Sequence, residues 1–156
     1  KRGILIHREI DRFTDTHEIV KESKARLWDE YRHYGSVIVD IYYDHFLSKN
    51  WSQYSNEPLK TFTNRQYAML SVHAADFPAG ARKTLKYMKD TDWLYNYQFL
   101  EGVDMALKGM SRRTTFDSGM EFAINELRQD YDLYKTEFIS FFPLLESHIA
   151  NFEVGN

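Results

Sequence analysis

Apolar residues recur at helical spacing along most of this 156-residue chain, and no other sequence feature constrains its fold as strongly. Ile6, Ile10 and Phe13, for example, are spaced i, i+4 and i+7, which places them on one face of a helix. The chain contains only 7 Gly and 3 Pro, a composition that argues against a turn-rich β-sandwich or barrel. We therefore predict an all-α fold, a single-domain compact helical bundle over residues 1–156.

Capping residues and helix breakers divide the predicted helices. Asp15 followed by Glu18 fits an N-cap with its capping-box partner. Pro58 is typical of a first helical turn, and Pro143 is expected to kink or divide the last helical segment. The predicted helices after the first stripe cover residues 16–33, 36–48, 56–75, 77–90, 99–110 and, as one helix or two, 116–152.

Composition narrows the chemistry that the chain can perform. It has no Cys, which excludes disulfides, thiol nucleophiles and cysteine-ligated metals, so any metal must be bound by His and carboxylate side chains. A net charge of −3 argues against a nucleic-acid partner. No segment approaches the roughly 20 apolar residues of a membrane span, and we expect a cytoplasmic protein.

The predicted helix over 36–48 is apolar on all sides, which is typical of a buried central helix. It nevertheless carries Asp40, Asp44 and His45. Because Asp40 and Asp44 are i, i+4 neighbours, they share a face of the helix. Unpaired buried carboxylates are unfavourable, so a divalent cation, arginine partners or backbone donors must compensate them.

The first predicted helix carries a matching set of polar residues, in which His7, Asp11 and Asp15 are spaced i, i+4 and i+8. If this helix faced Asp44 and His45, the two helices would form a mixed His and carboxylate site suited to Mn, Fe or Zn. Several structural alternatives remain open at this point. Asp15 fits an N-cap better than a ligand, and Asp11 is equally consistent with a salt bridge to arginine. The spacing of Asp44 and His45 alone slightly favours a structural network over a metal site.

Two groups of basic residues are candidates for anion binding. One lies on a single predicted helix and the other at a turn, and a solvated surface is the simpler interpretation of both. Adjacent arginines at a helix end can both reach one phosphate group, which favours the second group as a phosphate site. The first group comprises Arg82, Lys83, Lys86 and Lys89, and the second Lys108, Arg112 and Arg113.

Three segments resemble motifs of the acyl carrier protein phosphodiesterases. Residues 3–15, GILIHREIDRFTD, resemble the family signature GI-x-x-HR-x-ID-x-x-TD. Residues 40–51, DIYYDHFLSKNW, resemble its D-x-x-x-DHFL-x-x-x-W segment, and residues 109–113 are similar to its late GM-x-SR element. The three segments keep the family's order and spread across most of the chain.

The resemblance implies an all-helical, manganese-dependent enzyme distantly related to the HD-type metal phosphohydrolases. Such an enzyme hydrolyses the phosphodiester that joins 4′-phosphopantetheine to a serine of holo acyl carrier protein. Carried over by position, the metal set would be His7, Asp11, Asp44 and His45, and the catalytic residues would be Asp40, as a supporting ligand or base, and Arg8. The phosphate contacts would be Arg8, Arg112 and Arg113. Because acyl carrier proteins are acidic, the basic face of Arg82, Lys83, Lys86 and Lys89 would bind the partner.

The comparison of motifs also bears on where the sequence starts, and two alternative functions remain. Family members carry some tens of residues before the first motif, whereas this chain begins at Lys1, so we expect an N-terminally truncated sequence. Two other functions stay possible on the sequence alone. One is a metal phosphohydrolase that acts on a small phosphoester, and the other is a non-catalytic helical module that binds an acidic partner.

Overall fold

The computed structural model describes residues 2–154, which form a bundle of α-helices joined by short turns. Short 3₁₀ segments lie at Arg32–Tyr34, Trp51–Gln53, Ala74–Asp76 and Met120–Phe122. No β-strand occurs within these residues, so the all-α prediction is confirmed. The α-helices are α1 (Arg2–Thr16), α2 (Glu18–Arg26), α3 (Trp28–Tyr31), α4 (Gly35–Lys49), α5 (Leu59–Val72), α6 (Ala79–Asp90), α7 (Trp93–Asn96), α8 (Leu100–Ser111), α9 (Ile124–Gln129) and α10 (Tyr131–Val154).

Helix α4 lies at the centre of the bundle and packs against α2, α8 and α10. Ile38, Val39, Tyr42 and Phe46 are fully buried, which confirms that an apolar pattern on nearly all sides marks a central helix. Burial of such side chains stabilises the fold by about 1.5–3 kcal/mol each. The core is therefore built around the helix that also carries the candidate catalytic residues.

A buried polar network joins α2, α4 and α10. Ser23 donates to Glu137 Oε2 at 2.5 Å and lies 2.9 Å from the Tyr43 hydroxyl. Arg26 forms an ion pair with the same carboxylate and lies over the ring of Tyr134. The Arg26 and Glu137 ion pair and the hydrogen bonds of Ser23 therefore join the three helices.

Several helix boundaries differ from the prediction. His17 is the N-cap of α2, and its Nδ1 accepts from the Ile19 amide at 3.3 Å, so the assignment of this cap to Asp15 is wrong. Asp15 lies instead in the last turn of α1. The last helical segment divides before Tyr131, and Pro143 lies inside α10. Of the two expected effects of this proline, division of the segment is therefore wrong, and a kink stays a prediction.

None of the helices within residues 2–154 has the combined length and apolar character that crossing a bilayer would require. This agrees with the absence of a long apolar run in the sequence.

Candidate active site

A cleft of about 660 Å³ opens between α1, α4 and α10. Each helix contributes residues at helical spacing, so each presents one face to the cleft. Helices α1 and α4 supply polar walls, and α10 supplies an apolar floor. The lining residues are Ile10, Asp11, Thr14 and Asp15 from α1, Ser36, Asp40, Tyr43, Asp44 and Leu47 from α4, and Phe138, Phe141, Phe142 and Leu145 from α10.

Asp40 and Asp44 are the two carboxylates on the α4 wall. Neither forms a hydrogen bond or ion pair with any other residue between positions 2 and 154. Surrounding protein atoms raise the pKa of Asp40 to about 6, even though the carboxylate is open to the cleft. Burial by the helix and its neighbours, together with the charge of Asp40, raises the pKa of Asp44 to about 7. Both side chains are exposed, so the expectation that they are buried is wrong, and the cleft presents two acids without a protein partner within residues 2–154.

The α1 wall is held in place by contacts with α10. His148 lies 2.5 Å from Glu9 Oε1, and its ring stacks on Phe13 with 4.3 Å between centroids. Arg12 also binds Glu9, and these two partners lower the pKa of that carboxyl to about 2. These contacts of His148 with Glu9 and Phe13 hold α1 against α10, and Asp11 of α1 then lines the cleft.

Lys24 of α2 connects the two polar walls. Its Nζ binds Asp15 at 2.8 Å, and its charge lowers the pKa of Asp40 against the effect of burial. The charges of Asp11 and Asp15 act in the opposite direction and raise the pKa of Asp40. The carboxylates of α1 and α4 therefore influence one another across the cleft.

His45 points away from the cleft and into the core, where it is completely buried. Its Nδ1 lies 2.7 Å from the Tyr97 carbonyl, which can only accept, so Nδ1 carries the hydrogen. Burial lowers the pKa of His45 and keeps the ring neutral, and Nε2 then accepts from the Tyr131 hydroxyl at 2.8 Å. Neither nitrogen has a free lone pair here, so the assignment of His45 as a metal ligand stays a prediction that requires Tyr131 to move.

The remaining predicted metal ligands lie on α1. His7 Nδ1 lies 3.3 Å from Asp11 Oδ1, and both side chains are well exposed. Asp11 thus pairs with histidine rather than with arginine, and it lines the cleft whereas His7 does not. Among residues 2–154, no three His, Asp or Glu side chains converge as they would around a bound metal ion. The ligand set His7, Asp11, Asp44 and His45 therefore stays a prediction.

The predicted phosphate contacts lie outside the cleft. Arg8 is exposed on α1. Arg112 follows the end of α8, and Arg113 lies over the Trp93 ring at 5.4 Å, beyond the residues that line the cleft. Their roles in phosphate binding stay predictions.

The predicted partner-binding face lies on α6 and is largely satisfied by its own neighbours. Lys86 binds Asp90 at 2.5 Å, Lys89 donates to Ser71, and Arg82 donates to a backbone carbonyl, whereas Lys83 is exposed. None of the four lines the cleft.

The apolar floor of the cleft is a feature that the sequence motifs did not indicate. Phe138, Phe141, Phe142 and Leu145 are spaced i, i+3, i+4 and i+7 on α10. This spacing identifies an apolar helix face. It does not reveal that part of the face remains open to a ligand.

Comparison with known proteins places these residues in a family. A family model described as acyl carrier protein phosphodiesterase matches residues 1–145. The chain is 30% identical over 150 residues to a protein of that name from Enterobacter sp. (strain 638), which covers 96% of this chain and 78% of the relative. It is 29% identical over 149 residues to one from Salmonella agona (strain SL483), covering 95% and 77% of the two chains.

A third relative with the same name, from Yersinia enterocolitica serotype O:8 / biotype 1B, is 27% identical over 153 residues, 97% of this chain and 79% of its own. No solved structure matches the chain significantly, so the expected likeness to HD-type phosphohydrolases stays a prediction. The family match, by contrast, spans nearly the whole sequence and includes all three motif segments. The chain therefore belongs to the acyl carrier protein phosphodiesterase family, as its motifs predict.

Proposed function

We propose that this chain hydrolyses the phosphodiester that joins 4′-phosphopantetheine to a serine of holo acyl carrier protein. Water would attack phosphorus and the bond to the serine oxygen would break, which releases apo carrier protein and 4′-phosphopantetheine. Family membership supports the reaction class, and the curated relatives carry the name acyl carrier protein phosphodiesterase. The expected location in the cytoplasm stays a prediction.

The observation that carries the proposal is the pair of unpartnered carboxylates, Asp40 and Asp44, beside an aromatic floor. Both side chains are exposed to the cleft, and the surrounding protein and the neighbouring acids raise the pKa of each, a combination that is typical of functional sites. The prosthetic group has a phosphodiester at one end and a long, partly apolar arm. The carboxylate wall suits the first, and the half-buried side chains of Phe142 and Leu145 suit the second.

The cleft is lined by side chains of the donor type that suits a hard divalent cation. Asp11, Asp40 and Asp44 line it with carboxylate oxygens, which suit Mn²⁺, although within residues 2–154 these side chains do not converge on one point. We propose that Asp11 and Asp44 hold the ion; His7 and His45, the other two predicted ligands, do not line the cleft. When bound, Mn²⁺ would neutralise phosphate charge and lower the pKa of a coordinated water.

The chain's own residues have separate roles in this proposal. Asp40, which faces the cleft and lies in the field of Lys24, would accept the proton of the attacking water. The α1 wall, fixed by the Glu9 and His148 contact, would position the substrate between the carboxylates and the floor. Arg8, Arg112 and Arg113 stay proposed as phosphate contacts and the basic face of α6 as a partner contact.

The test is to incubate the chain with holo acyl carrier protein and Mn²⁺ and to follow the mass of the carrier. We expect loss of the phosphopantetheine mass with the wild type and a rate lower by about 10²–10⁴-fold with Asp40→Asn, which removes the proton acceptor. Asp132→Asn, on the exposed surface of α10, is the matched control and should retain the wild-type rate.

Two other outcomes would contradict the proposal. Hydrolysis of small phosphodiesters without hydrolysis of the holo carrier would indicate a small-molecule phosphohydrolase. An intact carrier and intact small esters, with metal bound to the folded chain, would indicate a helical module that binds without chemistry.

A further inference from the structure

A second groove, of about 480 Å³, lies between α2, α3 and the 3₁₀ segment Arg32–Tyr34. All of its charged or titratable lining residues are basic, and no carboxylate is among the residues that line it. This positive charge is a local feature, because the chain as a whole carries a net charge of −3. Its lining includes Lys21, Lys24, Trp28, Arg32, His33 and Ser36. Lys21 is paired with Glu18 at 2.7 Å and Lys24 with Asp15 at 2.8 Å, so Arg32 is the lysine or arginine of this lining that has no ion pair within residues 2–154.

Arg32 is the residue that distinguishes this groove from an ordinary basic surface. Its backbone has φ 49° and ψ −122°, a conformation that non-glycine residues rarely adopt. Its guanidinium forms no hydrogen bond or ion pair within residues 2–154 and lies 5.7 Å from the centre of the Trp28 ring. Backbone strain of this kind is concentrated at functional sites, and here it holds an unpaired cation against an exposed tryptophan.

The groove is continuous with the carboxylate cleft. Ser36 lines both of them. Lys24 lines the groove and binds Asp15 on the cleft wall at 2.8 Å. A ligand whose reacting group lies in the cleft can therefore extend into the groove without crossing the bundle.

The side chains of the groove are those of a protein interface. Trp and Arg are the residue types most enriched at the energetic centres of protein interfaces, and a flat cationic groove complements an acidic surface. We propose that this groove binds acidic side chains of the carrier protein next to its modified serine, while the adjoining cleft receives the prosthetic group. The inference rests on the proposed function and names the surface by which the protein substrate is recognised.

The test is charge reversal at Arg32, measured with the full chain. Arg32→Glu should weaken binding of the apo and holo carrier protein about tenfold and reduce the salt dependence of binding, because it replaces attraction with repulsion. It should leave hydrolysis of bis(p-nitrophenyl) phosphate unchanged, because that small diester does not reach the groove. Lys21→Glu provides a second, independent variant in the same groove.

Lys135→Glu is the matched control, since it makes the same charge change on the exposed side of α10. Equal weakening by Arg32→Glu and Lys135→Glu, or no weakening in either groove variant, would overturn the inference. So would weakening by Lys83→Glu on α6 in place of the groove variants, or equal loss of activity on the small diester.

The proposed function and this inference fail separately. If the wild type binds the carrier protein but leaves its phosphodiester intact, the proposed function fails, and selective weakening by Arg32→Glu still supports the groove as the docking site. If the wild type binds neither the apo nor the holo carrier, the inference is overturned.

Discussion

Asp44 and His45 are adjacent on α4, yet their surroundings are opposite. Both ring nitrogens of His45 are hydrogen-bonded in the core, to the Tyr97 carbonyl and the Tyr131 hydroxyl. The carboxylate of Asp44 has no hydrogen-bonding or ionic partner in residues 2–154 and opens into the cleft. A buried histidine with both nitrogens hydrogen-bonded is part of the fold, whereas a carboxylate that is exposed in a cleft without a protein partner is available to a ligand. The comparison separates the structural side of α4 from its functional side.

The substitution with the largest expected effect is at Asp44, on the functional side of α4. Asp44→Asn keeps the shape of the side chain but removes the negative charge from the cleft, so turnover of holo carrier protein with Mn²⁺ should fall by about 10³-fold. The rate of carrier mass loss measures it. Asp132→Asn, which is exposed on α10, is the matched control and should keep the wild-type rate. Full turnover by Asp44→Asn would show that the chemistry does not take place in this cleft.

The next effect is at His45 and concerns stability. His45→Ala leaves a cavity and removes the partners of the Tyr97 carbonyl and the Tyr131 hydroxyl, so the free energy of unfolding should fall by about 3 kcal/mol. Urea unfolding in EDTA measures it, and Tyr131→Phe, which removes one hydrogen bond, should lower the same free energy by about 1 kcal/mol. If wild type and His45→Ala were equally stable in EDTA and differed only when metal is present, His45 would be a metal ligand instead.

The sequence predicts much of this architecture but not the difference between the two faces of α4. The apolar pattern of residues 36–48 identifies a central helix, and the motifs identify the family. Whether His45 is satisfied depends on Tyr97 and Tyr131, which are 52 and 86 positions away, and periodicity carries no information on such contacts. Spacing alone therefore cannot separate the structural role of His45 from a ligand role.

Local signals also fail where long-range contacts override them. Asp15 and Glu18 satisfy the pattern of a capping box, but Lys24 binds Asp15 and His17 caps α2 instead. The polar residues of α1 were identified correctly as a row. Their distance from α4 is determined by the packing of α1 on α10 through Phe13 and His148, which no local pattern encodes.

The smallest expected effect is the pH dependence of stability at Asp44. The pKa of this carboxyl is raised to about 7 in the folded chain, from an ordinary value of 3.8. A raised pKa means that the folded state favours the protonated acid, so the contribution to stability is present below about pH 4 and is lost as the pH rises through 7. The side chain in Asp44→Asn is neutral at every pH, so the variant does not lose stability in this way as the pH rises.

Metal-free wild type and Asp44→Asn should therefore have similar free energies of unfolding near pH 4, and the variant should be more stable near pH 8. We expect a difference of about 1 kcal/mol, because the open cleft lets solvent screen the charge. Urea unfolding at both pH values measures it, with Asp132→Asn as the control that should show no such divergence. If Asp44→Asn were instead less stable near pH 8, Asp44 would have a stabilising partner in the folded chain. Asp44 would then be a structural group of α4, as His45 is, and the proposal that Asp40 and Asp44 form the active site would be contradicted.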